Sequence, residues 1–239
     1  MVAAVRAITF DFWNTLFRDL NSAPRQQIRV DALAQAIGVS PEAASGALDL
    51  VWAEFARSHR EDQCTLTPAD AVRIAGVNLG VTIEGPLLSE LTEVFATAIL
   101  IHSPEPICNA LEAVRAAAEL LPVGLISDTG VSPASSLRQL LDRHDFTPFL
   151  RSMVFSDEVG VSKPQAPMFE TAARDLAVTP QELLHIGDLE HTDIAGAKNV
   201  GARAALFVAE NQASGDHTQA DHVLASWNEF VTLLPRLLS

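Results

Sequence analysis

The chain has 239 residues, 48% of them hydrophobic and 19% charged. That is enough for one large domain, or for a domain carrying a smaller inserted one, and it excludes a disordered, collagen-like or disulfide-built protein. Thirty acids against 16 bases leave a formal charge of −14, with Lys163 and Lys198 the only lysines. Such a surface repels nucleic acid and anionic lipid, and neither is expected as a partner.

Cys64 and Cys108 are far apart in sequence and form no CxxC pair, so both are expected as reduced thiols. Arg6 and Asp11 interrupt the N-terminal apolar residues, which do not read as a signal peptide. The densest apolar run, Ala96 to Ile101, is far short of the roughly 20 residues that span a bilayer. A soluble, cytoplasmic protein is expected.

Val5 to Phe10 is a short β-rich run ending at Asp11, a buried strand with a carboxylate at its C-terminal end. Val30, Leu33, Ala34 and Ile37 then follow helical spacing until Gly38 stops the helix. Ser40 and Pro41 provide an N-cap and first position for a second helix with the stripe Leu48, Val51, Trp52, Phe55. Thr67-Pro68-Ala69-Asp70 starts a third, and Leu88, Leu91, Phe95, Ala98 and Ile99 mark a fourth. From about 19 to 103 the pattern is helical throughout.

After Pro104 and Pro106 the texture changes. Helix 107–120 leads to the strand Val123–Ile126. Helices near 133–143, 166–177 and 192–200 then alternate with strands near 152–156, 183–186 and 203–208. A polar loop at 209–220, a short strand near 222–224 and helix 226–238 complete the pattern. Alternation of this kind predicts an α/β fold, a doubly wound parallel sheet with a Rossmann-like core. The expected domains are an α/β core from 1–18 and 106–239, and an all-helical cap, 19–105, inserted after the first strand.

Open parallel sheets bind ligands beyond the carboxyl ends of their strands. The polar residues there are Asp11, then Ser127 and Asp128, then Asp157 and Glu158 with Lys163 close behind, then Asp188, with Asp193 opening the next helix. Several carboxylates, a hydroxyl and a lysine on one rim suit Mg²⁺-assisted phosphoryl chemistry. Mg²⁺ takes oxygen ligands, and a lysine and a hydroxyl can hold phosphate oxygens as their charge grows.

These residues also carry a resemblance. Phe10-Asp11-Phe12-Trp13-Asn14-Thr15-Leu16, Leu125-Ile126-Ser127-Asp128, Lys163-Pro164 after Gly160, and Gly187-Asp188-Leu189-Glu190-His191-Thr192-Asp193 occur in that order. They resemble the four motifs of the haloacid dehalogenase (HAD) superfamily of hydrolases, with a helical insert where that family carries its type-one cap. The resemblance implies a Mg²⁺-dependent phosphatase acting on a small phosphorylated metabolite. In that reading Asp11 is the nucleophile that becomes an aspartyl-phosphate, Ser127 donates to a phosphate oxygen, and Lys163 neutralises nucleophile and phosphate together. Asp11, the carbonyl of Trp13 and Asp188 ligate the metal, with Asp193 in or next to its shell. Asp128 is either a substrate contact or an N-cap.

The chain departs from the family's phosphatases at position 13, where they carry a second aspartate that protonates the leaving oxygen. Trp13 cannot do this, and general acid help is worth roughly 10²–10⁴-fold. Either another group supplies the proton, the leaving group needs none, or the reaction is not ester hydrolysis. Haloacid dehalogenases also carry an aromatic residue there but lack the aspartate of a Gly-Asp fourth motif, which is intact here. Phosphonate hydrolases of the family need a cap lysine, and residues 19–105 contain none. His59 and His102 are either surrogate acids or, the favoured reading, ordinary surface or packing histidines. A phosphate-binding or regulatory protein of the same fold is the rival reading.

Overall fold

In a computed structural model, the structure describes residues 3–210 and 217–237. Within it the chain divides into two compact units. One comprises Met1–Asp19, Glu105–Asp128 and Leu141–Ser239, the other Leu20–Pro104 and Thr129–Leu140.

The first unit is built on β1 (Ala7–Phe10), whose four residues are all buried. After it come the two-residue strand β2 (Phe17–Arg18) and, beyond the second unit's helices α1 to α4, its partner β3 (Glu105–Pro106), paired antiparallel. This ribbon escaped the sequence analysis because two residues per strand, one of them a proline, leave no alternation to detect. Then follow α5 (Ala110–Ala118), β4 (Val123–Ser127), α6 (Ala134–Arg143), β5 (Ser152–Phe155), α7 (Ser156–Val159) and α8 (Ala166–Asp175). The chain continues through β6 (Leu183–Gly187), α9 (Ala195–Asn199), β7 (Arg203–Phe207), β8 (His222–Leu224) and α10 (Trp227–Leu237). Part of the loop expected at 209–220, residues 211–216, and the last residue of the helix expected at 226–238 lie outside the described residues.

Among the described residues the main sheet has six strands in the order β5-β4-β1-β6-β7-β8, and each of their pairings is parallel. Strand side chains alternate between faces. Ala7 therefore joins Ile126, Val154 and Leu183 against Met168, Phe169 and Ala172 of α8 and Ala197 of α9. Phe10 instead meets Trp227 at 5.5 Å and Phe230 at 5.8 Å, on α10. The expected doubly wound α/β architecture is present, with β1 central. The chain leaves β1 towards β4 and β5 on one side and returns to β6 on the other, which makes the end of β1 a topological switch point.

The second unit is helical among its described residues: α1 (Ser22–Ile37), α2 (Pro41–Arg57), α3 (Pro68–Asn78) and α4 (Gly85–Ile101), with a π-helical turn at Ser58–Asp62. The sequence signals act as expected. Gly38, at φ 77°, closes α1, and Ser40 Oγ accepts from Ala43 N to open α2. Val30, Leu33, Leu48, Val51, Val72 and Phe95 meet in its core. Thr129–Leu140 joins this unit, whereas the sequence pattern groups it with the α/β elements. Val131 packs into the helical core, and Ser136 Oγ donates to the Ala96 carbonyl at 2.8 Å. Among the described residues no helix is long and apolar enough to cross a membrane. Both cysteines are free, as expected.

Candidate active site

Asp11 directly follows the last residue of β1, and the turn after it is tightly built. Leu16 N and Phe17 N both donate to the Phe12 carbonyl, and Asn14 N donates to the Phe17 carbonyl. Asn14 takes φ 50°, the left-handed region that asparagine tolerates better than most side chains. Trp227 Nε1 donates to the Thr15 carbonyl at 3.0 Å, tying the turn to α10. Phe12 stacks on Phe17 with ring centroids 4.5 Å apart, and the half-buried Trp13 ring meets Phe12 edge-on at 4.9 Å.

Lys163 comes from the loop between α7 and α8, and it is 2% exposed. Its Nζ donates to Asp11 Oδ1 at 2.6 Å, to Asp193 Oδ1 at 2.6 Å and to the Ile126 carbonyl at 3.2 Å. An ammonium has three protons, and here each has an acceptor. Lys163 N also donates to Asp128 Oδ1 at 2.9 Å, so Asp128 anchors the lysine loop. Ser127 ends β4 buried, its hydroxyl donating to the Asp128 carbonyl at 3.1 Å.

Asp193 sits in a π-helical turn, Glu190–Ile194, where the sequence pattern suggested the start of an ordinary helix at 192. The Leu189 carbonyl accepts from both Asp193 N and Ile194 N, which widens the turn. Such single π turns recur at functional sites. Leu189 N in return donates to Asp193 Oδ2 at 3.1 Å. Gly187 is required beneath it: a Cβ there would lie 2.2 Å from Asp193 Cγ.

Oxygen atoms of Asp11, Asp188 and Asp193, all buried, lie within 4.8 Å of one another. Burial pushes the Asp11 carboxyl well above the ordinary carboxylate range; Lys163 opposes this, and Asp193 and Asp188 push it further up. Burial also disfavours charge on Asp193, but Lys163 and His185 outweigh it and hold that carboxyl well below its usual value. On Lys163, burial is outweighed by Asp11, Asp193 and Asp128, and the ammonium stays charged far above the usual lysine range. The three acids of this cluster outnumber its one lysine. An all-oxygen donor set with acids in excess fits a hard divalent cation.

The structure thus brings together Asp11, Lys163, Asp188 and Asp193, with Ser127 and Asp128 beside the lysine. Asp157 and Glu158 lie in the first turn of α7 and are not in the carboxylate cluster. In the second unit, His59 stacks on Phe55 with centroids 6.0 Å apart, and the His102 carbonyl accepts from Arg25 Nη1 at 3.1 Å. Two further residues of the site, His185 and Thr9, belong to none of the four sequence motifs. His185 is fully buried, its Nε2 3.0 Å from Asp193 Oδ1 and its Nδ1 3.0 Å from Thr9 Oγ1. A polar pair at inward positions of two buried strands was the available signal.

The family model described as haloacid dehalogenase-like hydrolase matches residues 5–201. The chain belongs to that family. Among curated proteins it is 32% identical over 116 residues to a glyceraldehyde 3-phosphate phosphatase of Pyrococcus furiosus, covering 48% of this chain and 45% of that one. It spans less than half the length of the phosphatases of this name that it matches. Among solved structures, a HAD phosphatase from Thermococcus onnurineus has a TM-score of 0.66 at 19% identity, covering 96% of this chain and 98% of the other. A 2-haloacid dehalogenase from Pseudomonas syringae has a TM-score of 0.67 at 21% identity, with 98% of each chain covered. At such identities the two structures speak for the HAD fold alone.

Proposed function

We propose that this HAD-family hydrolase is a cytoplasmic, Mg²⁺-dependent phosphatase of a small phosphorylated metabolite, with Asp11 as nucleophile. The observation that carries the proposal is Lys163 Nζ at 2.6 Å from both Asp11 Oδ1 and Asp193 Oδ1, with the Asp188 carboxylate in the same buried cluster. The intact Gly187-Asp188 pair favours phosphatase over dehalogenase chemistry. Glyceraldehyde 3-phosphate, named for the curated relatives, is the first substrate to try. The helical unit, inserted in the chain between β1 and β4, is assigned the choice of substrate.

Asp11, the Trp13 carbonyl and Asp188 would hold the Mg²⁺. Both oxygens of Asp193 already accept hydrogen bonds, so it acts at or next to that shell. A divalent ion held there would supply positive charge to phosphate oxygens and would offset the burial and the neighbouring carboxylates that raise Asp11. Asp11 attacks phosphorus through one carboxylate oxygen, the ester P–O bond breaks, and the alkoxide departs with its electron pair. Water then cleaves the acyl phosphate, releasing phosphate and restoring Asp11. Lys163 stabilises the charge on nucleophile and phosphate through fixed donors in a buried site. Ser127 turns its hydroxyl from the Asp128 carbonyl to a phosphate oxygen.

Trp13 favours a second reading, phosphate binding with little turnover, because the alkoxide lacks its usual acid. One assay separates the two. Hydrolysis of p-nitrophenyl phosphate, whose leaving group needs no proton, should require Mg²⁺ and disappear in Asp11→Asn. Wild-type protein that binds phosphate but turns over neither this ester nor glyceraldehyde 3-phosphate would leave only the binding reading.

A further inference from the structure

Asp193 Oδ1 accepts from Lys163 Nζ at 2.6 Å and faces His185 Nε2 at 3.0 Å, while Oδ2 accepts from Leu189 N at 3.1 Å. An ionised carboxylate can only accept, so Nε2 carries a ring proton, and in a neutral imidazole the bare Nδ1 then accepts from the Thr9 hydroxyl at 3.0 Å. Register makes this contact: Thr9 and His185 are Cα partners on the adjacent parallel strands β1 and β6, so both side chains leave the same face. The imidazole is wedged edge-on against Phe169 of α8, ring centroids 5.2 Å apart. With Thr9 and His185 fully buried, the hydroxyl, ring and carboxylate form a closed chain beneath the site. Fixing the ring by its second nitrogen is how outer partners orient a ligating or near-ligating group.

We propose that His185, held by Thr9, is a positioning residue that fixes Asp193 and through it Lys163 and the metal-binding carboxylates. The inference rests on the metal-dependent reading above. It assigns His185 no contact with substrate.

The test uses the full chain, Mg²⁺ and two variants of His185. His185→Leu keeps an apolar side chain of similar bulk and removes the donor; His185→Gln can still donate to Asp193. Calorimetry should show Mg²⁺ affinity about tenfold weaker in the folded leucine variant, the low end of such partner effects. The glutamine variant should recover most of it. With p-nitrophenyl phosphate at saturating Mg²⁺, kcat should fall in the leucine variant by more than KM rises, because Lys163 acts most on the charge that grows in the transition state. Nitrogen NMR of the wild type should report the Nε2-protonated tautomer of His185. Should His185→Leu fail to fold, Thr9→Val takes its place, removing one hydroxyl at nearly constant shape, with the same direction and a smaller effect. The Nδ1-protonated tautomer, or folded variants that bind Mg²⁺ like the wild type, would overturn the inference. A wild type that binds no Mg²⁺ at all would bring down the metal reading and this inference together.

Discussion

Trp13 is the residue whose identity most shapes the chemistry. Its indole N–H cannot protonate an alkoxide, whereas in the proposed function its main-chain carbonyl holds the metal, so under that reading metal binding and acid catalysis separate at one position. Restoring a carboxyl there should therefore act on one kind of substrate. Trp13→Asp is expected to raise turnover of unactivated alkyl phosphates by up to roughly 10²-fold over any gain with p-nitrophenyl phosphate. Parallel steady-state assays on the two esters check this, once a thermal melt shows that loss of the Phe12 contact leaves the protein folded. Equal effects on both esters would mean that the proton comes from another group.

At the scale of elements, caps and edge contacts carry the testable consequences. Thr67 opens α3 with a reciprocal capping box: Asp70 N donates to Thr67 Oγ1 at 3.2 Å, and Thr67 N donates to Asp70 Oδ2 at 3.0 Å. Thr67→Ala should cost about 1 kcal/mol, measured by denaturant titration. It should cost somewhat less in an Asp70→Ala background, because the Thr67 hydroxyl has there already lost the Asp70 carboxylate to which it donates at 2.6 Å. Asp221 precedes β8, accepts from Ala204 N at 2.9 Å and pairs with Lys198 at 2.7 Å. Burial disfavours its charge, but the Lys198 and Ala204 hydrogen bonds outweigh that and lower its pKa. A depressed folded-state pKa stabilises above the unfolded value, near 3.9, and that stabilisation is lost as the pH falls through the folded value. The stability gap between wild type and Asp221→Asn should thus be full at pH 6 and shrink below about pH 4. A gap that stays constant across that range would show that the charge contributes nothing there.

For the whole molecule, a formal charge of −14 and a buried carboxylate cluster both favour association with a divalent cation. An ion that binds only the folded state stabilises it by about 2.7 kcal/mol at a hundredfold excess over its Kd. For a chain of this size that corresponds to a rise in Tm of roughly 5 °C or more. Scanning calorimetry with Mg²⁺ at constant ionic strength should show the rise, and Asp188→Asn should abolish most of it. A rise of equal size in the mutant would mean that the ion binds the acidic surface instead.

The sequence by itself determined the α/β alternation, the helical insert and the order of the strand-end residues Asp11, Ser127, Lys163 and Asp188. These rest on local signals: periodicity, Gly38, Ser40-Pro41, Thr67-Pro68, and motifs contained in a few consecutive residues. Contacts that join distant positions were decided by the tertiary structure. Thr9 and His185 meet only because β1 and β6 pair in one register, and a shift of one residue would send His185 to the opposite face. The position of Asp193 depends on a π-helical turn set by the Leu189 carbonyl, and the β2–β3 ribbon on the two ends of the insertion lying side by side. Thr129–Leu140 takes its place from its packing against the helical core, which no local pattern encodes. Local backbone preference is written residue by residue, whereas register and packing are settled by which buried surfaces fit together once the chain is compact.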